Sequence, residues 1–515
     1  MNIKQTLLEN GIEIKDIGDY LATYCPFCNK VSSGHSIATF NIDPITGNGH
    51  CSACKENFEW QEISDKLELE AVKTIEKKEK TKKVKKYEEE DENEEFLKSL
   101  EEADPIIDVS KFKPLSNKEL VEILSITIKH DNENKLATFF GMLSAYAGDA
   151  QLNISYNAPS STGKSFIPLE LSKLFPKKDL IKLGGCSPKS FFHEQGEFNK
   201  EKNERMVDLS SKILIFLDMP HNQLLTGLRP LFSHDQKEIH FKIADPHEKG
   251  GIKTKTVILR GFPAVVFCTA GLKINDQEAT RFLLLSPSME QEKIKDGVSL
   301  ALKKEMNITA YENSLKENEG RNLLIERIQA IKNENIKDIR LCSEELIRER
   351  FFKDKEFLQP RYQRDIKRIT SMIKSIAILN LWWRDKNGST ITANEQDVND
   401  AFDLWDKLCT SQTLNLPPFV LQLFELVIKP LWQKKEGTGE DIGISRKEIS
   451  QQHNEIYHRL LDTAQFSNSI LPMLESAGLL LQERDPKQKQ RMLFYPVVEN
   501  TNGNAEKVVD KLEDF

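Results

Sequence analysis

A short stretch that follows an apolar run has the residue types and spacing of a phosphate-binding loop. It reads Ala158-Pro-Ser-Ser-Thr-Gly-Lys-Ser165, with alanine where such loops usually begin with glycine. Its backbone N–H groups can face phosphates at the start of a helix, where the helix dipole favours anions. Lys164 would bridge the β- and γ-phosphates of ATP, and the Ser165 hydroxyl would bind Mg²⁺. The predicted binding residues are Ser160, Ser161, Thr162, Gly163, Lys164 and Ser165; the alternative is a small-residue turn that caps a helix.

A second apolar run ends in an acidic residue, in the stretch Lys212-Ile-Leu-Ile-Phe-Leu-Asp218. Buried strands of parallel sheets have this composition, which places Asp218 at the carboxyl edge of the sheet beside the phosphate loop. There it would help to hold Mg²⁺. ATPases of this kind usually follow the aspartate with a glutamate that orients the attacking water, but here Met219 follows it. Hydrolysis is therefore less firmly indicated than nucleotide binding, and the candidates to replace that glutamate are Glu194, Glu197 and His221.

Two C-x₂-C pairs lie near the start of the chain, separated by a β-like stretch and a turn. Two such pairs can supply four thiolates in a tetrahedron, the arrangement that Zn²⁺ prefers in structural sites. The predicted zinc ligands are Cys25, Cys28, Cys51 and Cys54. His35 and His50 are alternative ligands that could replace a thiolate. The segment resembles the zinc ribbons at the front of bacterial and phage primases, a module that serves many roles.

Composition excludes several broad classes of protein. The chain has 515 residues, which suggests about three or four domains. Its net charge of −8 shows no overall basic character, so any contact with DNA must come from a local patch. No apolar run approaches the roughly 18 residues of a membrane span, and the first residues do not resemble a signal peptide. Together with the metal-type use of cysteine, this predicts a cytoplasmic protein without membrane contact.

A predicted β-hairpin carries an excess of lysine. Residues 238–244 and 253–259 alternate in polarity on either side of a turn that contains Gly250 and Gly251. The hairpin leads directly into an apolar strand that ends at Thr269. Its lysines are candidate DNA contacts, against the alternative of an ordinary solvated hairpin. They are Lys242, Lys249, Lys253 and Lys255.

Residues 412–498 read as a separate unit of three helices followed by two strands. Ser445 and Glu448 have the spacing of a capping box at the start of a helix. Helices followed by such a strand pair predict a winged helix, a module that binds DNA or other proteins. The candidate phosphate contacts on its wing are Lys487, Lys489 and Arg491.

The order of these features along residues 115–410 resembles one family. The chain is similar to the AAA+ module of minichromosome-maintenance (MCM) helicases and their relatives on mobile elements. The shared features are, in order, a phosphate loop, a strand-end aspartate, a basic hairpin, a polar strand end, an Arg-Phe pair and a late helical arginine. The resemblance implies that Thr269, where the family more often has asparagine, senses the nucleotide. It also implies that Arg281 is an arginine finger acting on a neighbouring subunit and that Arg364 is the second sensor. For both arginines the alternative is a surface salt bridge.

The predicted fold is α/β: an AAA+ P-loop core with a helical lid, a zinc ribbon and a winged helix. The predicted domains are a zinc ribbon (1–65), a charged linker (66–109), the α/β core (110–300), the lid (301–411), the winged helix (412–498) and a tail (499–515). The predicted function is an ATP-dependent DNA helicase or translocase in replication, working as a homo-hexameric ring on single-stranded DNA with other replication proteins as further partners and using Mg²⁺ and Zn²⁺. The alternatives are an ATP-binding initiator, loader or switch that does not unwind DNA, a zinc-ribbon scaffold with a degenerate ATPase, and a primase. No acidic cluster resembling a primase metal site stands in the rest of the chain.

Overall fold

A computed structural model of the chain divides it into two compact units, Met1–Asp104 and Pro105–Phe515, and each is described by itself. In the first unit the structure describes residues 3, 7, 15–17, 20–23, 40–43, 46, 48–51 and 55–66. In the second it describes residues 107–185, 197–199, 204–245, 253–269, 281–353, 355, 357–436 and 443–497. Most of the predicted linker 66–109 and the whole of the tail lie outside these ranges.

The first unit contains a five-stranded antiparallel sheet whose strands are arranged in chain order. A small apolar core that includes Phe40, Cys51 and Ile63 supports it. Gly49 lies so close to the Phe40 ring that a Cβ atom there would stand 2.4 Å from it. The strands are β1 (Lys15–Ile17), β2 (Tyr20–Thr23), β3 (Phe40–Ile42), β4 (Gly49–Cys51) and β5 (Asn57–Phe58), followed by helix α1 (Trp60–Lys66).

The second unit is built on a five-stranded parallel sheet, as predicted for an α/β fold. Its strands are β6 (Ile154–Asn157), β7 (Leu180–Leu183), β10 (Ile213–Phe216), β13 (Ala264–Thr269) and β14 (Leu283–Leu285). They are arranged in the order β14-β6-β13-β10-β7. Strand β6, which leads into the phosphate loop, therefore lies between β14 and β13. Strand β10, which precedes Asp218, lies on the other side of β13.

Successive residues of each strand point to opposite faces of this sheet, and both faces are buried. Val266 and Cys268 of β13 belong to one apolar core, and Val265 and Phe267 belong to another. The first core is completed by helices from both ends of the unit. These are α2 (Asn117–Leu124), α3 (Asn132–Leu143), α4 (Phe166–Ser172), α8 (Glu319–Asn333), α9 (Glu344–Phe352), α10 (Tyr362–Leu379) and α11 (Glu395–Thr413).

A second, four-stranded sheet covers the other face together with helix α5 (Asn222–Phe232). Its strands are β8 (Glu197–Asn199), β9 (Glu204–Asp208), β11 (Glu238–Asp245) and β12 (Lys253–Arg260), in the order β11-β12-β9-β8. Strands β11 and β12 pair antiparallel from Glu238↔Arg260 to Asp245↔Lys253, which confirms the predicted hairpin. Among the described residues, β12 pairs with β9 from Arg260 to Thr256, and it pairs with β11 along its whole length to Lys253.

The predicted lid shares its core with the α/β sheet instead of forming a core of its own. One apolar cluster runs from Leu120 to Leu408. The predicted boundary at residues 300 and 301 falls inside helix α6 (Gln291–Met306), which is followed by α7 (Ile308–Lys316). Among the described residues of these two helices none is buried, because both stand away from the core. A small three-stranded sheet completes this part: β15 (Asp338–Arg340), β16 (Asp385–Asn387) and β17 (Thr390–Thr392).

The C-terminal part has its own apolar core, which begins at Leu416, and the predicted boundary at 411 and 412 falls in the last turn of helix α11. The predicted capping box of Ser445 and Glu448 is present, and β19 and β20 pair antiparallel as expected. Its elements are α12 (Pro418–Leu423), a π-helical turn (Phe424–Ile428), α13 (Lys429–Glu436), β18 (Ile444–Ser445), α14 (Arg446–Tyr457), α15 (Thr463–Gln465), a second π-helical turn (Phe466–Ile470), α16 (Leu471–Ser476), β19 (Leu480–Arg484) and β20 (Met492–Pro496).

Within the described ranges no single helix has the length and apolarity needed to cross a membrane. One bent pair, Glu395–Thr413 with Pro418–Glu436, meets the criteria of length and composition only when its two helices are taken together.

Candidate nucleotide-binding site

The predicted phosphate loop connects the carboxyl end of β6 to helix α4, as a loop of this kind requires. Ser161 and Gly163 have positive φ angles of 66° and 92°, which turn the chain sharply. At Gly163 a Cβ atom would meet open space, so its backbone angle and not crowding is what favours glycine. The Thr162 hydroxyl donates a hydrogen bond to the Pro159 carbonyl at 2.9 Å and holds the loop together from inside.

Asp218 and Thr269 lie at the same carboxyl edge of the sheet as the loop. Thr269 is the last residue of β13, is 3% exposed and pairs in register with Asn157, the last residue of β6. Asp218 follows β10 and is exposed to solvent, and its Oδ1 accepts a hydrogen bond from the Met219 N–H at 2.8 Å. Because β13 separates β6 from β10, Thr269 stands between the phosphate loop and Asp218.

Cys268 joins β13 to the phosphate loop, although nothing in the sequence singled it out. Its thiol donates to the Lys164 carbonyl at 3.5 Å. Burial raises the pKa of this thiol to about 12, so it remains a protonated donor at neutral pH. The loop is thereby held on the strand that carries Thr269.

Arg459, from the C-terminal part, also reaches the phosphate loop. Its Nη1 donates to the Ser160 carbonyl at 3.3 Å. Arg459 and Tyr457 line a cavity of about 580 Å³ that is continuous with the loop at Ser161 and Gly163. No local sequence pattern indicates this contact, because Ser160 and Arg459 are 299 positions apart.

Arg281 and Arg364, the two arginines that the resemblance singled out, lie together. They line one cavity of about 130 Å³, although 83 positions separate them in the chain. Arg281 lies two residues before the start of β14, and its Nε donates to the Ser233 hydroxyl at 2.5 Å. The same cavity is lined by Gln151 and Asn153, which precede β6. The arginine cavity is therefore at the amino end of the parallel strands, opposite the phosphate loop.

The arginine cavity is rich in cationic groups. Its lining includes Lys367 and Arg368 besides the two arginines, and one carboxylate, that of Asp235. Burial lowers the pKa of Arg368 to about 10, so this group remains charged at neutral pH, and its Nη1 bonds the buried Asp365 carboxylate at 3.0 Å. Burial also lowers the pKa of His234 to about 4, so this ring is neutral there.

The buried carboxylate of Asp365 holds the first turn of α10, the helix that carries Arg364. Asp365 is 2% exposed and also accepts from the Nε of Arg361, the residue before α10, at 3.0 Å. Arg361 in turn donates to the Thr413 carbonyl at 3.1 Å. The first turn of α10, and with it exposed Arg364, is held in place by these bonds.

The candidate DNA contacts lie on the hairpin and on the strand pair β19–β20. Lys242 is exposed on β11, Lys253 and Lys255 belong to the part of β12 beyond the last β9 partner, and Lys249 lies outside the described residues. Lys487, Lys489 and Arg491 are all exposed, between or beside β19 and β20. Arg491 also lies 3.7 Å from Glu448 and 3.8 Å from Asp485, so part of its charge is compensated.

Of the four predicted zinc ligands, the structure describes Cys51, which is buried at the end of β4. The chain turns back after it: the Lys55 N–H donates to the Cys51 carbonyl at 2.8 Å, and the Cys51 N–H donates to the Glu56 carbonyl at 3.0 Å. The other three cysteines and His35 lie outside the described residues. The His50 ring bonds Asn57 at 2.7 Å.

Comparison with known proteins yields no relative: no protein-family model matches this chain, and no curated protein matches its sequence.

The zinc prediction can be tested on the full chain. We expect about one Zn²⁺ per chain in the purified protein, and a clear loss of zinc in Cys51→Ser, because structural zinc needs its full set of ligands. Metal content by mass spectrometry measures both. Cys342→Ser, at an exposed cysteine, is the matched control and should keep its zinc. Equal zinc in the two variants, or none in the parent protein, would contradict the prediction.

Proposed function

We propose that this chain is an ATP-driven DNA helicase or translocase of the MCM-like AAA+ class that works as a ring of identical subunits in DNA replication. One observation carries the proposal: a phosphate loop with Asp218 and Thr269 lies at one end of the sheet, and Arg281 and Arg364 share a cationic cavity at the other end. Among the residues that the structure describes, the phosphate-loop half contains neither Arg281 nor Arg364.

The separation of the two halves supports action between subunits. The parallel strands that separate them have about four residues each, or about 13 Å at 3.3 Å per residue. Arg281 and Arg364 at the amino end therefore lie away from the phosphates that the same chain would bind. Arg368 is paired with Asp365 and the cavity has one carboxylate of its own, but the remaining excess of positive charge favours an anion. In a ring, the γ-phosphate on the neighbouring subunit is that anion, and each site is completed by two subunits.

In this proposal the residues at the carboxyl edge bind and orient the nucleotide. Lys164 neutralises charge on the β- and γ-phosphates, and Thr269 is placed between the loop and Asp218 to contact the γ-phosphate or the water. The Ser165 hydroxyl and the exposed Asp218 carboxylate are oxygen ligands of the kind that Mg²⁺ prefers, so the residues present fit the metal. When bound, Mg²⁺ would neutralise charge on the phosphates.

The residue that orients the attacking water has two described candidates. The His221 Nδ1 accepts a hydrogen bond from the Gln223 N–H at 3.2 Å. A ring nitrogen that accepts carries no proton, so the neutral ring has its proton on Nε2 and offers no free basic nitrogen. Glu197, on β8 of the hairpin sheet, is the other described candidate, and Glu194 lies outside the described residues.

The hairpin gives the proposal its DNA contact. Strand β12 continues through Gly261 into β13, so residues 253–269 form an almost uninterrupted path from the lysine-bearing part of the hairpin to Thr269. Phosphate contacts by lysines would grip a single strand without regard to sequence. A change at Thr269 on hydrolysis can move the hairpin through this path, which is what translocation requires.

A second candidate function is an ATP-binding initiator, loader or switch that does not unwind DNA. Met219, partly buried against the apolar core after Asp218, favours it, because an acidic base is missing from the usual position. ATP turnover with and without single-stranded DNA separates the two functions: a helicase is stimulated by DNA, and a switch hydrolyses slowly in both cases.

Lys164→Ala should weaken ATP binding or turnover by about 30-fold or more, since a charged hydrogen-bonding partner of the phosphates is lost. Asp218→Asn should lower turnover more than affinity, because the role of the metal increases in the transition state. Calorimetry and phosphate release measure the two effects. Lys173→Ala, at the end of α4 in an ion pair with Glu170, is the control and should resemble the parent protein. Normal turnover in Lys164→Ala would remove the site.

Action between subunits predicts complementation. Arg281→Ala and Lys164→Ala should each be nearly inactive alone, and a mixture should regain ATPase activity because some interfaces then combine an intact Lys164 with an intact Arg281. A mixture of Lys164→Ala with Asp218→Asn is the control: both residues belong to the same half-site, so no interface becomes complete. Recovery in the control, or none in the first mixture, contradicts the proposed interface.

The hairpin is tested by the double variant Lys253→Ala with Lys255→Ala. It should bind single-stranded DNA more weakly, with the slope of log K against log salt reduced by about 1 for each lost phosphate contact. ATP binding should be unchanged, and unwinding should fall. Lys118→Ala with Lys316→Ala removes the same charge from exposed positions elsewhere and should leave binding unaltered. Parental unwinding by the hairpin variant would show that these lysines have no role in translocation.

A further inference from the structure

The cavity beside the phosphate loop has walls from four separate parts of the chain. Ser161, Thr162 and Gly163 form its phosphate side, and Thr127 to Lys129 form a second wall. Helix α6 forms the third wall with Ile294 and Val298, and Tyr457 and Arg459 of the C-terminal part close it. Its volume of about 580 Å³ lies within the range of about 300–1,000 Å³ that is usual for small-molecule sites.

Two of these walls are fastened to each other. Asp131 has a left-handed backbone with φ of 51°, and its Oδ1 accepts from the Ser288 N–H at 2.8 Å. Its other carboxylate oxygen forms an ion pair with Lys293, in the first turn of α6. The loop after α2 and the start of α6 are therefore held at a fixed separation, which pre-forms the cavity.

Helix α6 presents an apolar stripe that the core does not bury. Ile294, Val298, Leu302 and Met306 follow one another at intervals of four and are 48%, 63%, 60% and 78% exposed. The first two line this cavity, whereas Leu302 and Met306 line the neighbouring groove beside α7. Apolar side chains at this position offer a surface for a flat, weakly polar group next to the phosphates.

The C-terminal wall is firmly held. His453 is 3% exposed, its Nδ1 bonds the Arg459 carbonyl at 2.7 Å, and its ring lies 4.9 Å from that of Tyr457. Helix α14 then ends with His458 in the left-handed conformation, with φ of 51°, which directs the chain to the phosphate loop. The bond from Arg459 to the Ser160 carbonyl fastens this wall to the loop.

We propose that this cavity receives the base and ribose of the bound nucleoside triphosphate, with Tyr457 of the C-terminal part against them and Arg459 as a positioning residue that holds this wall on the phosphate loop. The proposal rests on the proposed nucleotide function and extends it. It follows that nucleotide binding joins the α/β core to the C-terminal part of the same chain, so that occupancy is communicated to the domain carrying Lys487 and Lys489.

The apolar stripe of α6 provides a matched pair of variants. Val298→Glu places a charge inside the cavity and should raise the Kd of ATP about tenfold, the order of a lost base contact. Leu302→Glu introduces the same charge one turn later, at a similarly exposed position outside the cavity, and should leave the Kd unchanged. Inorganic tripolyphosphate, which has no base, should bind both variants as it binds the parent protein. Calorimetry in the presence of Mg²⁺ measures the binding of ATP and of tripolyphosphate to the parent protein and to both variants.

The C-terminal wall is tested separately. Tyr457→Ala should weaken ATP about tenfold but not tripolyphosphate, and Tyr457→Phe, which keeps the ring, should restore ATP binding. ATP should slow amide hydrogen exchange in residues 453–461, whereas tripolyphosphate should slow it less. Arg459→Ala should abolish this protection, Arg459→Lys should restore part of it, and Arg484→Ala, at an exposed arginine of β19, should keep it.

The outcomes distinguish the inference from the proposed function. If Lys164→Ala abolishes ATP binding but Val298→Glu and Tyr457→Ala bind ATP normally without any effect of ATP on exchange at 453–461, the cavity is not the base site and the inference is wrong. If the parent protein does not bind ATP at all, the proposed nucleotide function itself fails.

Discussion

The parallel sheet of the second unit can exist only if both of its faces are covered, because its strands alternate apolar side chains to either side. Strand β13 shows this most clearly, since all six of its residues are buried. A fully buried valine or phenylalanine contributes about 1.5–3 kcal/mol, so a partly uncovered face would be costly. The helices of the predicted lid cover one face, and the hairpin sheet with α5 covers the other. The hairpin and the lid helices are thus attached to opposite faces of the same sheet.

The sequence was sufficient for features with a short-range physical cause. Apolar runs predicted the strands that end near Asp218 and at Thr269, and alternation predicted the hairpin. The capping box at Ser445 could be predicted because its hydrogen bonds join residues that are three positions apart. The spacing of Arg281 and Arg364 in the sequence did not predict that they share one cavity. The family resemblance suggested a role for each residue, and the fold brings the two together.

Other features depend on contacts between distant parts of the chain and left no local pattern. The Ser286 hydroxyl donates to the Asn157 carbonyl at the base of the phosphate loop and accepts from the Phe419 N–H, which links the sheet to the C-terminal part. Nothing about a serine after an apolar strand indicates this. The boundary predicted between residues 300 and 301 falls inside one continuous helix, residues 291–306, none of whose residues is buried.

Strand β14 lies at an edge of the parallel sheet, where its backbone could pair with another strand. The Gln412 side chain meets that backbone instead: its Nε2 donates to the Leu284 carbonyl at 2.8 Å, and its Oε1 accepts from the Leu284 N–H at 3.0 Å. The buried side-chain amide of Gln412 thus makes the two hydrogen bonds with Leu284 that a neighbouring strand would otherwise make. An edge closed in this way resists strand addition, the usual start of irreversible aggregation.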